Sequence, residues 1–530
     1  MKTKKVSISV FQLFIAILIV GIIITLIVVL NKSNKFEISH VKLENFEGSG
    51  TIEDPYKIET IEDLVKLSLN VERGESYKDK YFSILNKLDF QNEQSYKDAN
   101  SKTFGDINKD GKVDTIKNEL TNGLGFAPIG GKKKKDTTEV TCFEGTFNGN
   151  DNTIKNLLID ISKTDLYDYA GLFAYNKGTI TNLKITGKII ANKDIENKTI
   201  CIAMLVGKNE GEIKVCKTEG EINVIMNKEN SSAKVAGIAG ENTGKITDSS
   251  NNANIISNQL KAGIVANNIS NENIKSSGII TNCTNIGQIK EETNTNYYTA
   301  GIVAKNQKGN ITTCNNEGRI QGQLTAGIVG NSIEGNIIAC QNTAEIKNIE
   351  DTSSSNSIVA GIVAILDNAN MENCKNAGNI IGSTTIGGLA GKNEGTISQC
   401  ENKGDISKVT VDTTNEAYVG GLTGKNNETA KIINSKNYGK ITAVKSDIVN
   451  LGGISGTVCS PITIETCENR GNLNGVGKII TPNEDLTINC ISCTNSAGGT
   501  ALNSDIGELN IGIIYGRLEN VPEQTQENQQ

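Results

Sequence analysis

Residues 387–406 read GGLAGKNEGTISQCENKGDI. Three apolar pulses stand apart between Gly and Asn: Leu389 with Ala390, then Ile397, then Ile406. Each pulse is too short for a helix and is bounded by turn residues, so each reads as a short strand. The text returns along the chain. Residues 300–320 read AGIVAKNQKGNITTCNNEGRI, and 326–346 read AGIVGNSIEGNIIACQNTAEI. Residues 360–380 read AGIVAILDNANMENCKNAGNI, and 420–441 read GGLTGKNNETAKIINSKNYGKI. Further copies start at Ala170, Ala203, Ala236, Ala262 and Gly452. The spacing averages about 31 residues, the period of stacked repeat architectures.

A repeat of three short strands and tight turns suits a parallel β-helix, in which equivalent residues stack about 4.8 Å apart. The expected fold is therefore all-β: a right-handed-type parallel β-solenoid of about 12 coils. The Ala-Gly or Gly-Gly pair opening each copy lets the chain bend sharply and approach its neighbour.

Two Asn positions recur. One closes the first pulse, at Asn176, Asn209, Asn242, Asn268, Asn306, Asn393 and Asn426. The other closes the second, at Asn285, Asn316, Asn342, Asn376, Asn402, Asn437 and Asn469. Asn tolerates left-handed backbone, and stacked amides hydrogen-bond to one another. Both sets are read as stacked turn residues. Cys283, Cys314, Cys340, Cys374, Cys400 and Cys467 each lie two residues before a second-set Asn, and Ser435 takes that place once. A step that accepts Cys or Ser reads as a column of reduced core thiols. Directly stacked side chains run parallel, which does not suit the disulfide dihedral. Cys490-Ile-Ser-Cys493 has no second pair and no His nearby, so it is only weak evidence for metal or redox chemistry.

Composition agrees with a one-dimensional array. The 530 residues include 54 Gly, 5 Pro, one His and no Trp, and 4% are aromatic, so the core is expected to be aliphatic. Net charge is −7, which argues against nucleic acid as a ligand.

Residues 6–30 carry no charge and are long enough to span a bilayer. Lys2, Lys4 and Lys5 precede them and favour a cytoplasmic N-terminus. The expectation is a single-pass signal-anchor in the cell membrane with the C-terminal bulk extracellular. A cleaved signal peptide and a pilin-like leader are the alternatives, though the residues typical of a leader's processing site are missing. Residues 1–5 form the cytoplasmic n-region and 31–47 a linker. Residues 48–165 hold an N-terminal cap and the first coils, with a polar insert at 91–125. The repeats fill 166–515, and 516–530 read as a disordered tail. Thr60 and Asp63 form a capping box for a helix over 61–72, which would cover the exposed first sheet edge. Residues 81–90 read as a strand, and Lys132–Lys135 as a solvated loop.

The opening GSGTIEDPYKIETIEDLVKLS, then FEGTFNGNDNTIKNLLI, then the serial GGLxGKN…C-x-N-x-G copies resemble the GLUG-motif family. Its Gly-Leu-hydrophobic-Gly step stands at Gly388-Leu389-Ala390-Gly391 and Gly421-Leu422-Thr423-Gly424, and the likeness covers about residues 48–510. It implies an extracytoplasmic bacterial β-solenoid, many of which are described as adhesins or surface proteins. Such repeats also accompany metallopeptidases, but a zinc peptidase needs H-E-x-x-H and the only His is His40.

Asp106, Asn108, Asp110, Lys112 (through its carbonyl) and Asp114, around Gly111, resemble a calcium-binding loop. Position 12 of that plan is Lys117 rather than an acid. Calcium binding and an ion-free turn both remain open readings, and no other cofactor is expected. Arg is confined to Arg73, Arg319, Arg470 and Arg517, and acids are scattered, which disfavours a polysaccharide-cleaving enzyme. The favoured function is an adhesin-like binding or display module for an extracellular protein or glycan, with a ligand-free structural stalk as the alternative. Binding is expected in the longer loops, 288–298 with Tyr297 and Tyr298, and 347–358.

Overall fold

The computed structural model describes residues 46–91, 125–132, 139–162, 167–193, 198–228, 231–271, 277–293, 295–349, 357–408, 417–427, 429–443, 449–457 and 462–471. It also describes short strands at 473–474, 488–491, 494–495 and 518–519. Residues 6–30, the loop 106–114 and most of the linker and tail lie outside this set. Among the described residues no helix is long and apolar enough to cross a membrane.

The chain is a β-solenoid of stacked parallel strands. Starting from the repeat quoted first, one coil runs through four strips. Thr396–Ser398 lies in sheet A, and Glu401–Asn402 with Ile406–Lys408 in sheet B. Ala417–Gly420 lies in sheet C, Thr423–Asn426 in sheet D, and Lys431–Ile433 returns to sheet A. Sheet A stacks 14 strands, from Tyr56–Ile58 to Ile488–Ile491, and sheets C and D stack 10 each. In sheet B, single strands such as Lys217–Met226 give way to two short ones per coil, as Ser250–Ser257 pairs with both Thr284–Asn285 and Ile289–Glu291. The coil thus has one strip more than the three pulses suggest. Sheet C, just before the Gly-Leu step, is the addition.

Register makes columns. Phe82, Phe147, Ile180, Ile213, Ile246 and Ile280 face inward along sheet A, and Ile311, Ile337, Met371, Ile397, Ile432 and Ile464 continue the line. All are buried. Each removes a side chain worth about 1.5–3 kcal/mol from water. The Leu or Ile of each Gly-Leu step, from Leu172 to Ile454, is also fully buried.

The helix is Ile61–Glu72, capped by the Thr60–Asp63 box. It buries Ile61, Leu64, Val65 and Leu67 at the first coils. Beside it Phe46, Tyr77, Phe82, Phe143, Phe147 and Phe173 form a chain of ring contacts, with centroids 4.9 to 6.4 Å apart along it. The 81–90 strand is in fact two, Tyr81–Ile84 and Leu88–Asp89. Lys132 departs from the solvated-loop reading: it is buried, and its backbone exchanges bonds of 2.9 and 3.1 Å with Thr141.

The left-handed corner falls elsewhere than expected. No ladder Asn has positive φ. Instead the residue before each Cys step does, with φ of 49° to 55° at Asn182, Val215, Asp248, Asn282, Thr313, Ala339, Asn373, Gln399, Asn434 and Thr466. Such a residue costs about 1–2 kcal/mol. The next coil holds it: Val215 N–H donates to Thr247 O at 3.2 Å, and Thr313 N–H to Ile338 O at 2.9 Å.

Candidate functional site

The repeated residues build the interior. Asn285 donates to Asn316 at 2.8 Å, Asn316 to Asn342 at 2.7 Å, and Asn342 to Asn376 at 2.8 Å. Asn376, Asn402, Asn437 and Asn469 continue at 2.8 Å. Two members escape the sequence pattern. Asn251 donates to Asn285 at 2.9 Å, and Thr218 heads the column by donating to Asn251 at 2.9 Å. Each amide also donates to the carbonyl two residues on, as Asn402 does to Gly404 at 3.0 Å. The column is fully buried and its donors are used.

The first glycine of the Gly-Leu step lies on the opposite wall. A Cβ on Gly361 would sit 2.3 Å from Asn376 Cγ, and one on Gly388 2.5 Å from Asn402 Cγ. The same holds from Gly237 with Asn251 to Gly453 with Asn469. The glycines are needed for close approach rather than for a left-handed bend. In the coil where Thr218 replaces Asn, Met204 replaces the glycine.

A second column runs from Asn176 through Asn209, Asn242 and Asn268 to Asn306, each step 2.8 Å. Ser332 and Leu366 interrupt it before Asn393, Asn426 and Ser455.

Cys283, Cys314, Cys340, Cys374, Cys400 and Cys467 are buried and free, and so is Cys216. Ser249 and Ser435 stand in the same column and accept the N–H of Cys216 and Cys400, each at 3.1 Å. Each thiol donates to nearby carbonyls, as Cys314 does to Thr312 O at 3.3 Å. Burial pushes the Cys216 thiol up to about 12 and raises Cys314 and Cys374, which keeps them neutral and unreactive. None of these residues reaches a surface where it could meet a ligand.

The surface feature that runs the length of the repeats is the re-entrant corner between sheets C and D. The two sheets meet at the two-residue Gly-Leu step, and their outer faces look at each other. Small residues make this possible. Ala203, Ala236 and Ala266 pack under Leu260, while Ala326, Ala360 and Ala364 pack with Leu324, Ile358 and Ile365. A Cβ on Gly391 would meet Ile358 Cγ2 at 2.2 Å. The result is a lengthwise groove.

Its two lining columns are fixed by register. On sheet D, Tyr175, Lys208, Glu241, Asn267, Lys305, Asn331, Ile365, Lys392 and Lys425 follow one another. On sheet C, Lys234, Leu260, Tyr298, Leu324, Ile358, Thr385 and Tyr418 follow one another, the first opposite Cys201 and Tyr169.

The groove changes along its length. At the N-terminal end charges are matched: Lys208 lies 2.8 Å from Glu210, and Lys234 pairs with Glu241. Burial works against the Lys208 ammonium, but Glu210 holds its pKa above the ordinary value. Its Nζ also sits 5.0 Å from the Tyr175 ring centre and 5.8 Å from that of Tyr169. The middle is apolar, with Leu324, Ile358 and Ile365, and Asn331 donates to the Tyr298 hydroxyl at 3.3 Å. Burial raises the Tyr298 phenol. Toward the C-terminal end Lys392 and Lys425 stack in adjacent coils, and Lys425 lies 5.1 Å from the Tyr418 ring centre. Among the described residues neither has a carboxylate within ion-pair distance, and neither does Lys305; Asp367, at the strip's edge, is the acid that bears on Tyr298.

A recess of about 600 Å³ lies outside sheet B, beside Gln91 and Gly125 at the ends of the insert. Gln91, Gly125, Asn156, Thr186 and Lys188 line it, and Asn156 donates to Asp89 at 2.6 Å. Asp106, Asn108, Asp110, Lys112 and Asp114 lie outside the described residues. Among the described residues no three His, Cys, Asp or Glu side chains gather as a metal site.

Of the expected ligand-contacting residues, Tyr298 is in the groove, and Tyr297 lies in the bend that precedes it. The groove lysines of sheet D carry a sequence signal of their own: each immediately precedes a position of the interrupted Asn column, as in Lys392-Asn393 and Lys425-Asn426. Comparisons with protein-family models, with curated proteins and with solved structures give no match.

Proposed function

We propose that this chain is a surface-displayed solenoid of the GLUG type that binds an extended ligand lengthwise in the groove between sheets C and D. The observation that carries the reading is the groove itself. It has a continuous floor of small residues, a central apolar stretch and a lysine-rich end with no carboxylate at ion-pair distance among the described residues. A purely mechanical stalk has no need to concentrate half-buried apolar side chains and lysines along one re-entrant corner. Among the described groove residues Glu210 and Glu241 are each paired with a lysine and the Cys201 thiol is buried with its pKa raised, so the favoured reading is binding rather than catalysis.

In this reading residues 6–30 anchor the chain in the cell membrane and the solenoid projects outward. A right-handed rod of about 12 coils would be about 60 Å long. Calcium binding by Asp106, Asn108, Asp110, Lys112 and Asp114 is a separate part of the reading. Titration of wild type against Asp110→Ala tests that point, and equal heats would sink it.

The experiment for the groove uses the full chain in detergent, labelled and applied to cell surfaces and extracellular matrix. Wild type should be retained, and Ile365→Trp, which fills the groove, should lose at least tenfold in retention. Equal retention of both proteins would remove the groove from the function. Retention of neither would favour the stalk.

A further inference from the structure

We propose that the ligand of the groove is an acidic polysaccharide, whose carboxylates or sulfates are held by the lysine end and whose sugar rings lie over the apolar centre. This rests on the groove reading above and adds the chemical class.

The first ground is charge. The chain carries −7 overall, yet the groove holds Lys208, Lys234, Lys305, Lys392 and Lys425 against Glu241. Lys208 and Lys234 are neutralised by neighbouring glutamates, so the excess lies at the other three. Lys392 and Lys425 are direct register partners and therefore stand about 4.8 Å apart. Two stacked ammonium groups repel each other at a partly screened surface. An anion between them removes that repulsion. Lys305 lies three coils away, about 14 Å along the axis. The cations therefore form a line, which suits a polymer better than a single small anion.

The second ground is what the groove lacks. Every strand lining it, save those of the end coils, is already hydrogen-bonded on both sides, so a peptide finds no free strand edge to extend. The ring faces of Tyr169, Tyr175 and Tyr418 are occupied by Lys208 and Lys425, so they are not free platforms for nucleobases. What remains is an apolar strip flanked by Asn331 and Tyr298, which supply amide and hydroxyl groups for sugar hydroxyls, while Asn267 is buried and bonded to Glu241 and Gln307.

Affinity electrophoresis of the full chain in detergent tests this, with polygalacturonate as the acidic glycan, dextran as the neutral glycan, and poly-glutamate and oligo-dT as the other polyanions. Polygalacturonate should retard the protein, and dextran should not. The double variant K392E/K425E should lose at least tenfold in apparent affinity, while K431E, on the outer face of sheet A, should not. Half-molar salt should abolish the retardation. If the reversal variant does not fold, K392Q/K425Q keeps the test. No retardation by polygalacturonate overturns the proposal, as does retardation unchanged in the double variant. Equal or stronger retardation by poly-glutamate or oligo-dT overturns the assignment to a glycan. Surface retention lost in Ile365→Trp but indifferent to K392E/K425E and to salt would leave the groove standing and defeat only the acidic ligand.

Discussion

The solenoid contains two buried asparagine columns of nearly the same geometry, and they differ in how much variation they tolerate. The column from Asn251 to Asn469 is unbroken over eight coils. The column that begins at Asn176 accepts Ser332 and Leu366. The difference lies in what faces them. Across from the unbroken column stands a glycine in every coil, close enough to leave space for an amide and nothing branched. Glycine comes as close to the interrupted column at Gly309 and Gly335, against the amides of Asn268 and Asn306, but not in every coil. A polar ladder in a core is thus rigidly specified only where the facing wall is specified with it.

The sharpest way to break the unbroken column is from the glycine side. Gly361→Val places a Cβ 2.2 Å from Gly388 O and 2.3 Å from Asn376 Cγ. It should cost more than about 4 kcal/mol or prevent folding, read by denaturant unfolding. Next comes the amide itself. Asn376→Ala removes bonds to Asn402 and Gly378 and strands the donor of Asn342, so about 2–4 kcal/mol is expected. Ser332→Ala in the other column should cost less than about 1 kcal/mol. Equal losses would erase the distinction drawn between the columns.

A buried charge outside both columns gives the next effect. Lys261 is fully buried, donates to Gln259 O at 2.9 Å, and has its pKa lowered to about 8 by burial, partly offset by Glu291. Between pH 8 and 10 the unfolded chain keeps this proton while the folded chain gives it up, so the charge penalises folding most below pH 8. Lys261→Met should therefore be more stable than wild type at pH 7, by about 2 kcal/mol, and that advantage should shrink as pH rises from 8 to 10. A constant difference across that range would refute the assignment.

Two substitutions should do little, and that is their value. Leu366→Asn fills the gap between Ser332 and Asn393 and should change stability by less than about 1 kcal/mol, because the amide gains partners where the leucine had packing. Cys340→Ser should change it by a similar or smaller amount, since Ser249 and Ser435 already occupy that column. A large loss in Cys340→Ser would mean the thiol does more than fill space.

Much of the interior was legible in the sequence because a period-locked repeat writes its columns at fixed offsets. Cys400 and Asn402 sit two residues apart, and their equivalents do so in each copy, so inward facing followed from spacing alone. The helix at Ile61–Glu72 was legible through Thr60 and Asp63. Asn251 and Thr218 were missed because their coils lie in the long sheet B strands, where no turn marks the column. The pairing of Gly388 with Asn402 was not legible, because it joins opposite walls of the coil and leaves no local pattern. The groove was hidden for a related reason. Its alanines and glycines read as bends, whereas they are the floor on which two sheets approach.

Hydrogen bonds between coils run along the solenoid axis in all four sheets. A pull along that axis loads them end-on, so rupture should proceed one coil at a time from a free end rather than by shear of a whole sheet. Successive coils hold between 26 and 38 residues, as the ladder spacings show. Each rupture then frees on the order of 100 Å of chain. Such a molecule should lengthen in increments under load and re-stack when the load is removed. Force spectroscopy would register this as a series of steps whose lengths follow the lengths of the coils.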